Sequence, residues 1–290
     1  MKFDGRAHAQ EIYAFLKQEV SLLVEQGIIP QMAVILVGQN PNSLSYIKQK
    51  KKWGAFIGAQ ISVYEFTETV EEEVLLTKIH ELNMDLHTHG IIVQLPLPAH
   101  LDEKKLTRAV ALEKDIDGFH ENSPYHVPVA EAVLNILEKV YQETKGSEER
   151  IGSSVPSVSF LSWLKMKHIV VLGKGKTAGH PIIELLQKNN LKPIIIDHAT
   201  ANPEQSIKSA DIVISCVGKV VLTKEMLKPG AILIGVGLHL RDDRKLQGDF
   251  IEKDIESIVS AYTPTPGGVG PVNVACLLQN LVTATKNLAS

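Results

Sequence analysis

A lysine set in an apolar stripe is the first group in this sequence whose chemistry needs explaining. In "SLSYIKQKKKWGAFIG", Tyr46, Lys50, Trp53 and Ile57 recur at i, i+4, i+7 and i+11, so a helix would gather them on one aromatic and apolar face with Lys50 in its middle. Such a lysine either reaches along the face to water or is partly desolvated. Desolvation would lower its pKa from ~10.4 toward neutrality, where an amine can exchange protons during a reaction. The pattern leaves both readings open. Lys48, Lys51 and Lys52 beside it read as a solvated basic face. Gln94 ends the apolar run "GIIVQLPLP", at the edge where parallel sheets present ligands, and its amide could bond a lysine or a substrate as well as serve as an ordinary strand-end group. "KDIDG" adds Asp115 and Asp117 on an irregular segment, and for Asp115 turn formation is a sufficient reason.

A second group of residues invites a nucleotide. "VLGKGKTAGHP" contains GKGKT, yet a triphosphate-binding loop would need a glycine where Val170 stands, so that reading fails on spacing. Gly173, Gly175 and Gly179 instead fit a variant of the dinucleotide fingerprint: one glycine for a tight turn, one for close approach of a pyrophosphate, and one for helix–strand packing. Asp197 follows 24 residues after Gly173, where an acid would accept from a ribose 2′-OH and repel a 2′-phosphate. Lys174, Lys176 and His198 could attract that phosphate, so NAD and NADP both remain open. Thr177 in the same turn, and Cys216, Val217, Gly218 and Gly237 after later strands, complete the candidate cofactor residues.

These groups need a scaffold. The 290 residues suggest two medium domains, and 44% hydrophobic with 22% charged residues is ordinary globular composition. A net charge of -3 gives no electrostatic case for a nucleic-acid binder, and no apolar run approaches a membrane span. Two cysteines without a CxxC pair, and an N-terminus lacking a signal-peptide core, point to a cytoplasmic setting. The first helix, "AHAQEIYAFLKQEVSLLVEQG", is expected to bury Ile12, Phe15, Leu16, Leu22 and Leu23 and to stop at Gly27.

Strands "MAVILVG", "ISVYEF" and "GIIVQL" then alternate with helices from about Ser43 and over 70–83, which implies parallel pairing. A junction near 115–127 leads into the amphipathic "VAEAVLNILEKVYQ", and the polar stretch 143–157 reads as a surface loop or local disorder. Strands "KHIVVLG", "KPIIID", "DIVISCVG" and "AILIGVG" form a second, doubly wound unit, with a helix over 178–190 and another capped by Asn202 with Pro203 at its first position. "TPTPGGVGP" (263–271) is expected to be a rigid irregular turn. The histidines lack metal-ligand spacing; His87 and His89 read as loop residues, and no metal is expected.

Taken together, the chain resembles the bifunctional methylenetetrahydrofolate dehydrogenase/methenyltetrahydrofolate cyclohydrolase family along most of its length. "VGQNPNSLSYIKQKKKWGAFIGA" is similar to the family's tyrosine-x-x-x-lysine helix, "GIIVQLPLPAHL" and "EKDIDGFH" to its next two motifs, and "TPTPGGVGPVNVACLLQN" to its C-terminal signature. The resemblance implies an α/β protein of two domains with a cleft between them, commonly a homodimer. The expected division is a three-layer folate domain over 1–126 plus 267–290 and a Rossmann-type NAD(P) domain over 127–266. By resemblance Lys50 is the key cyclohydrolase residue, Tyr46 stacks near the folate, Gln94 tunes the lysine and Asp117 holds the pterin. Ser43, Pro96, Pro266, Gly267 and Gly268 occupy further positions of the same motifs, as candidate contacts of a tetrahydrofolate substrate.

The implied reaction passes hydride from 5,10-methylenetetrahydrofolate to NAD(P)+ and hydrolyses the methenyl product to 10-formyltetrahydrofolate. The family's G-R-S-x-x-V-G-x-P reads "GKGKTAGHP" here, with Lys174 for arginine and Gly175 for serine, and its H-S-x-T reads "HAT", with Ala199 for serine. Its P-C-T-P reads "VPVAEA", and 143–166 is extended. A dehydrogenase without the second activity and a non-catalytic folate or nucleotide sensor are the alternatives; retention of Tyr46 and Lys50 speaks against the sensor. A short-chain alcohol dehydrogenase is excluded because no tyrosine-x-x-x-lysine pair follows the glycine turn.

Overall fold

The computed structural model describes residues 1–150, 158–241 and 245–289, without the side chains of 146–150. In chain order its elements are α1 (Gly5–Glu25), β1 (Gln31–Val37), α2 (Pro41–Ile57), β2 (Gln60–Phe66), α3 (Glu72–Met84), β3 (Gly90–Val93), α4 (Glu103–Arg108), α5 (Pro128–Arg150) and α6 (Phe160–Lys165). There follow β4 (Ile169–Leu172), α7 (Gly179–Lys188), β5 (Ile194–Ile196), α8 (Pro203–Ser209), β6 (Ile212–Ser215), β7 (Ile232–Gly235), β8 (Leu238–Leu240), β9 (Leu246–Gly248), α9 (Glu252–Ile255), β10 (Ala261–Tyr262) and α10 (Val269–Ala289). They divide into two compact units, Ala9–Pro128 with Val274–Ser290, and Met1–His8 with Val129–Asn273.

The first unit is a parallel sheet in the order β2-β1-β3 between two helical layers. Side chains alternate across a strand, and the central β1 shows it. Met32, Val34 and Leu36 pack with α1, α2 and the last helix, including Tyr13, Ile57 and Leu281. Ala33, Ile35 and Val37 face the other way, onto Leu75, Ile79 and Leu82 of α3 and Leu106 of α4. Both faces are thus covered, which is why β1 is a continuous apolar run instead of an alternating one.

Helix α1 turns a different face inward from the one expected. Ala9, Tyr13, Leu16, Val20 and Leu23 are buried, whereas Phe15 is 58% and Leu22 55% exposed. The buried set steps by four and three in strict alternation, and Tyr13 anchors it by stacking on Trp53 with ring centroids 4.3 Å apart. The expected face shared Leu16 and Leu23 with this one but left out Ala9, Tyr13 and Val20.

The second unit is a five-stranded parallel sheet in the order β10-β7-β6-β4-β5, a doubly wound arrangement whose strand order reverses between β4 and β6. Lys2 extends it beyond β10: Phe3 N donates to Tyr262 O at 2.8 Å and Tyr262 N to Met1 O at 3.0 Å. A short antiparallel hairpin, β8–β9, lies outside this sheet.

Two expected irregular stretches are partly regular. Helix α5 runs through Arg150, so 143–150 is helical, and only 151–157 of that stretch lies outside the described residues. Glu143, Lys145, Glu148, Glu149 and Arg150 are good helix formers, and extending an existing helix avoids a new nucleation cost. Helix α10 begins at Val269, within the proline–glycine stretch. Pro271 sits in its first turn, where a missing N–H leaves no helical bond unmade. Asn202 precedes α8 as expected but in the left-handed region (φ 50°), and its side chain makes no capping bond. No helix among the described residues is long and apolar enough to cross a membrane.

The α1 register is tested by two neighbours. Phe15→Ser is expected to change stability by no more than ~0.5 kcal/mol and Leu16→Ala to cost about 2–5 kcal/mol, read from urea unfolding midpoints. The reverse order would place the wrong face inward.

Candidate active site

Helix α2 is built to carry a buried amine. Asn40 caps it, its Oδ1 accepting from the Asn42 and Ser43 amides at 2.9 and 3.3 Å, Pro41 opens it, and Gly58 closes it at φ 91°. Its buried line is Ser43, Ile47, Lys50, Gly54 and Ile57. Tyr46 and Trp53 flank that line half-buried, so the stripe lies beside the expected one and Lys50 belongs to its centre. Gly54 explains the depth: a Cβ there would stand 2.6 Å from Ile61 Cγ1, and its absence lets α2 settle against β2.

Lys50 is 6% exposed, and its Nζ donates to Gln94 Oε1 at 3.0 Å. Gln94 is oriented in turn, its Nε2 donating to Leu95 O at 3.0 Å and its backbone N–H to Ile35 O at 2.9 Å. Ser43 Oγ also donates to Leu95 O, at 3.4 Å, just before a cis Leu95–Pro96 bond. Burial pushes the Lys50 pKa down, with the Asp117 carboxylate opposing the shift; burial pushes the Asp117 pKa up, with Lys50 opposing. Lys50 and Asp117 are therefore an electrostatic pair in which burial dominates both members. Burial also raises the Tyr46 hydroxyl pKa. Lys48, Lys51 and Lys52 are exposed, as expected, and Lys52 lies over the Trp53 ring at 4.6 Å.

The loop carrying Asp117 is held by residues that the sequence did not single out. Lys114 is 4% exposed and donates to the carbonyls of Leu82, Asn83 and Asp85 at 3.1, 2.8 and 2.7 Å, satisfying the end of α3. Asn280 on α10 donates to Ile116 O at 2.8 Å and His126 O at 3.0 Å. Lys114 lies in a charged run that reads as surface, and Asn280 has no local signal at all. Asp115 ties the turn, accepting from His120 N at 2.9 Å, and Gly118 at φ 69° lets the chain reverse. His89 accepts from Gln31 N through Nδ1 at 3.1 Å, a structural contact at the start of β1. Pro266, Gly267 and Gly268 belong to the second unit, where Gly268 N donates to Pro264 O at 2.8 Å.

In the second unit the glycine turn follows β4. A Cβ at Gly173 (φ 86°) would meet Cys216 O at 2.9 Å, and one at Gly179 would meet Gly173 O at 2.0 Å, so packing requires glycine at both. At Gly175 nothing lies within 4 Å of the Cβ position, and the space opens at the N-terminus of α7, where backbone dipoles favour an anion. Lys174, Lys176, Thr177 and His198 are exposed around it. These features fit a dinucleotide pyrophosphate. Lys174 and Asp197, which the sequence set against each other, are partners: Lys174 Nζ lies 2.6 Å from Asp197 Oδ2, while Asp197 Oδ1 accepts from Ala199 N at 2.9 Å and Thr200 Oγ1 at 3.2 Å. That set, Lys174 first, holds the Asp197 carboxyl down at about 2. Cys216, Val217 and Gly218 follow β6, and burial, with Asp249 adding to it, pushes the Cys216 thiol up to about 12, far from a reactive thiolate. Gly237 follows β7 and packs against Asp249, which the sequence reading missed.

Known proteins share this arrangement. The profile described as tetrahydrofolate dehydrogenase/cyclohydrolase, catalytic domain, matches residues 3–117, and that of the same family's NAD(P)-binding domain matches 161–289. The bifunctional protein FolD of Listeria innocua is 37% identical over 286 residues, covering 98% of this chain and 97% of the relative. The crystal structure of the bifunctional enzyme FolD from Campylobacter jejuni superposes with a TM-score of 0.87 at 31% identity, covering 98% of each chain. The Trypanosoma brucei methylenetetrahydrofolate dehydrogenase-cyclohydrolase, solved with NADP cofactor and inhibitor, gives 0.85 at 30% identity over 99% of this chain and 97% of that one.

The Asp115 carboxyl offers a measurable signature of the buried loop. It is 3% exposed, and burial raises its pKa to about 6, against the hydrogen bond from His120. Because the folded pKa lies above the unfolded one, its favourable contribution is complete below the unfolded value, near ~3.9, and is lost as pH rises through about 6, by on the order of 3 kcal/mol. Asp115→Asn should therefore gain stability relative to the parent between pH 4 and pH 7, as read from urea midpoints. A difference that stays flat with pH would contradict the burial of that carboxyl.

Proposed function

The chain belongs to the tetrahydrofolate dehydrogenase/cyclohydrolase family, and from that premise we infer that it oxidises 5,10-methylenetetrahydrofolate to the methenyl compound with NAD(P)+ and hydrolyses the product to 10-formyltetrahydrofolate. These are steps of one-carbon metabolism. The observation that carries the second step is Lys50, desolvated and held on Gln94. Lys114, equally buried, clamps three backbone carbonyls, whereas Lys50 donates to a side-chain amide and ties no backbone together.

The folate chemistry is assigned to Ser43, Tyr46, Lys50, Gln94, Pro96 and Asp117, with Pro266, Gly267 and Gly268 as further substrate contacts. By chemistry the division is 1–126 plus 267–290 for folate and 127–266 for the nucleotide. The donor nitrogen of methylenetetrahydrofolate stabilises the cation left by hydride loss, so this step asks the protein only for orientation. Tyr46 offers a flat half-buried ring for the substrate, and Asp117 two carboxylate oxygens that would accept from the N–H groups of its amino-pyrimidine edge. Bound NAD(P)+ supplies the hydride acceptor. Gly173, Gly175 and Gly179 with the α7 N-terminus, Lys176, Thr177 and His198 would hold its phosphates, Asp197 with Lys174 its adenosine ribose, and Cys216, Val217, Gly218 and Gly237 its other half.

Hydrolysis needs proton transfer. A C–O bond forms between water and the methenyl carbon, the bond from that carbon to N5 breaks, and one proton is released overall. In its neutral form, which burial favours, Lys50 spends one N–H on Gln94 and keeps its lone pair to accept the proton of the attacking water and return it to the departing nitrogen.

The remaining partners follow from surface and composition. Ile194 and Ile195 are 43% and 39% exposed on β5, an edge strand of the second sheet, and exposed apolar edges invite pairing. A second copy of this chain is assigned to that edge. Cys216 and Cys276 are not joined in a disulfide, in keeping with a cytoplasmic setting.

Lys50→Met is expected to lower methenyltetrahydrofolate hydrolysis at least ~10²-fold with little effect on the melting temperature, the scale of a lost general acid–base group. Following reduced nicotinamide and the methenyl chromophore separately, with NAD+ and NADP+ in turn, checks both activities, and the faster cofactor tells which nucleotide the Lys174–Asp197 pair serves. Hydrolysis unchanged by the substitution would remove Lys50 from the mechanism. For the assembly, sedimentation should give a dimer mass for the parent and a monomer mass for Ile195→Lys; a dimer in both would move the interface elsewhere.

A further inference from the structure

Asp249 is fully buried, and no part of the reaction described so far uses it. It follows β9 directly and reaches the end of β6. Its Oδ2 accepts from Ser215 Oγ at 2.6 Å and Val217 N at 2.9 Å, and its Oδ1 from Gly218 N at 2.7 Å. Its own carbonyl accepts from Val221 N at 2.8 Å and Leu222 N at 3.2 Å. One residue thus fixes the chain from 215 to 222 at both ends.

The position of that loop matters because of what it faces. Gly173 packs on Cys216 O, so the turn after β4 and the turn after β6 meet at the strand-order reversal, where open α/β sheets bind their ligands. A Cβ at Gly237 would stand 2.4 Å from both Asp249 carboxylate oxygens and from Gly218 N, so the turn after β7 closes on the same carboxylate. The adenosine ribose belongs by β5 and the pyrophosphate at α7, which leaves the loop after β6 for the nicotinamide half.

We propose that Asp249 is a positioning residue for the nicotinamide half of the bound nucleotide: its buried carboxylate gathers the Val217 and Gly218 amides and the Ser215 hydroxyl, and so sets the Cys216–Gly218 wall against which that half lies. Three charge-assisted bonds, made from behind, hold the backbone in one conformation before the nucleotide arrives. The assignment rests on the reading that the second unit binds NAD(P).

Asp249→Asn is the informative change. An amide keeps the shape but has one acceptor oxygen, so its NH2 must face one of the backbone N–H groups donor to donor. Titration calorimetry with the nucleotide that the parent prefers is expected to show Kd raised about tenfold or more, and steady-state kinetics a matching rise in KM for the nucleotide, with KM for the folate within about twofold. General destabilisation would lower kcat through loss of active protein and leave nucleotide KM in place. A folded variant with parental Kd overturns the proposal. If Asp249→Asn does not fold, Ser215→Ala removes one of the three bonds and is expected to raise Kd about threefold; an unchanged Kd there overturns it equally. A parent protein that takes up neither NAD+ nor NADP+ overturns the binding reading itself, whereas parental binding with an indifferent Asp249 overturns only this inference.

Discussion

The first unit is organised around the need to keep one amine out of water. Removing a lysine from solvent is unfavourable unless its proton is shed or its charge is met, and the contacts around Lys50 provide for both. Gly54 lets α2 sink against β2, Gln94 receives the Nζ donor, Leu95 O orients Gln94, and Asp117 lies close enough to oppose the loss of the proton. The loop that supplies Asp117 is fastened in turn by a second buried lysine, Lys114, and by Asn280. The two lysines are put to different ends. Lys114 spends its donors on three backbone carbonyls, which makes it a structural clamp, while Lys50 donates to a side-chain amide.

The second unit solves an opposite problem, since its ligand is an anion. Here the sheet offers a helix N-terminus, an open space at Gly175 and the exposed Lys174 and Lys176, while the fully buried Asp249 is turned to backbone donors. Asp197 is also committed, to Lys174 and to its own turn, so the end of β5 presents a neutralised pair instead of a bare acid or a bare base.

How much of this could be read in advance depended on whether the determining contact was local. The alternation of strands and helices, the glycine turn with its β–α context, and the Tyr46–Lys50 helix all rest on periodicities of a few residues and were legible. The faces of α1 and α2 were displaced because small or polar-tipped residues were passed over: Ala9 and Tyr13, or Ser43 and Gly54, are buried for reasons of fit that hydrophobicity does not rank. Lys114, Asn280 and Asp249 were invisible because each acts on carbonyls or amides distant in sequence; Asn280 reaches Ile116 across 164 residues. Whether Lys50 was solvated or buried could not be decided from its own helix, since the answer lies in Ile61 and Gln94 on neighbouring strands.

That long reach has a consequence for how the protein is made. The core of the first unit includes Ala275, Leu277, Leu278 and Leu281 from the last helix, and the loop bearing Asp117 is tied to Asn280. A ribosome must therefore release residues as far as Leu281 before this unit can close. The second unit likewise waits for Tyr262 before Phe3 can pair. Each unit is completed by a segment far from the rest of it along the chain, so neither can close as one contiguous stretch. Until Asn280 has emerged, the loop bearing Asp117 lacks the tie that holds it near Lys50.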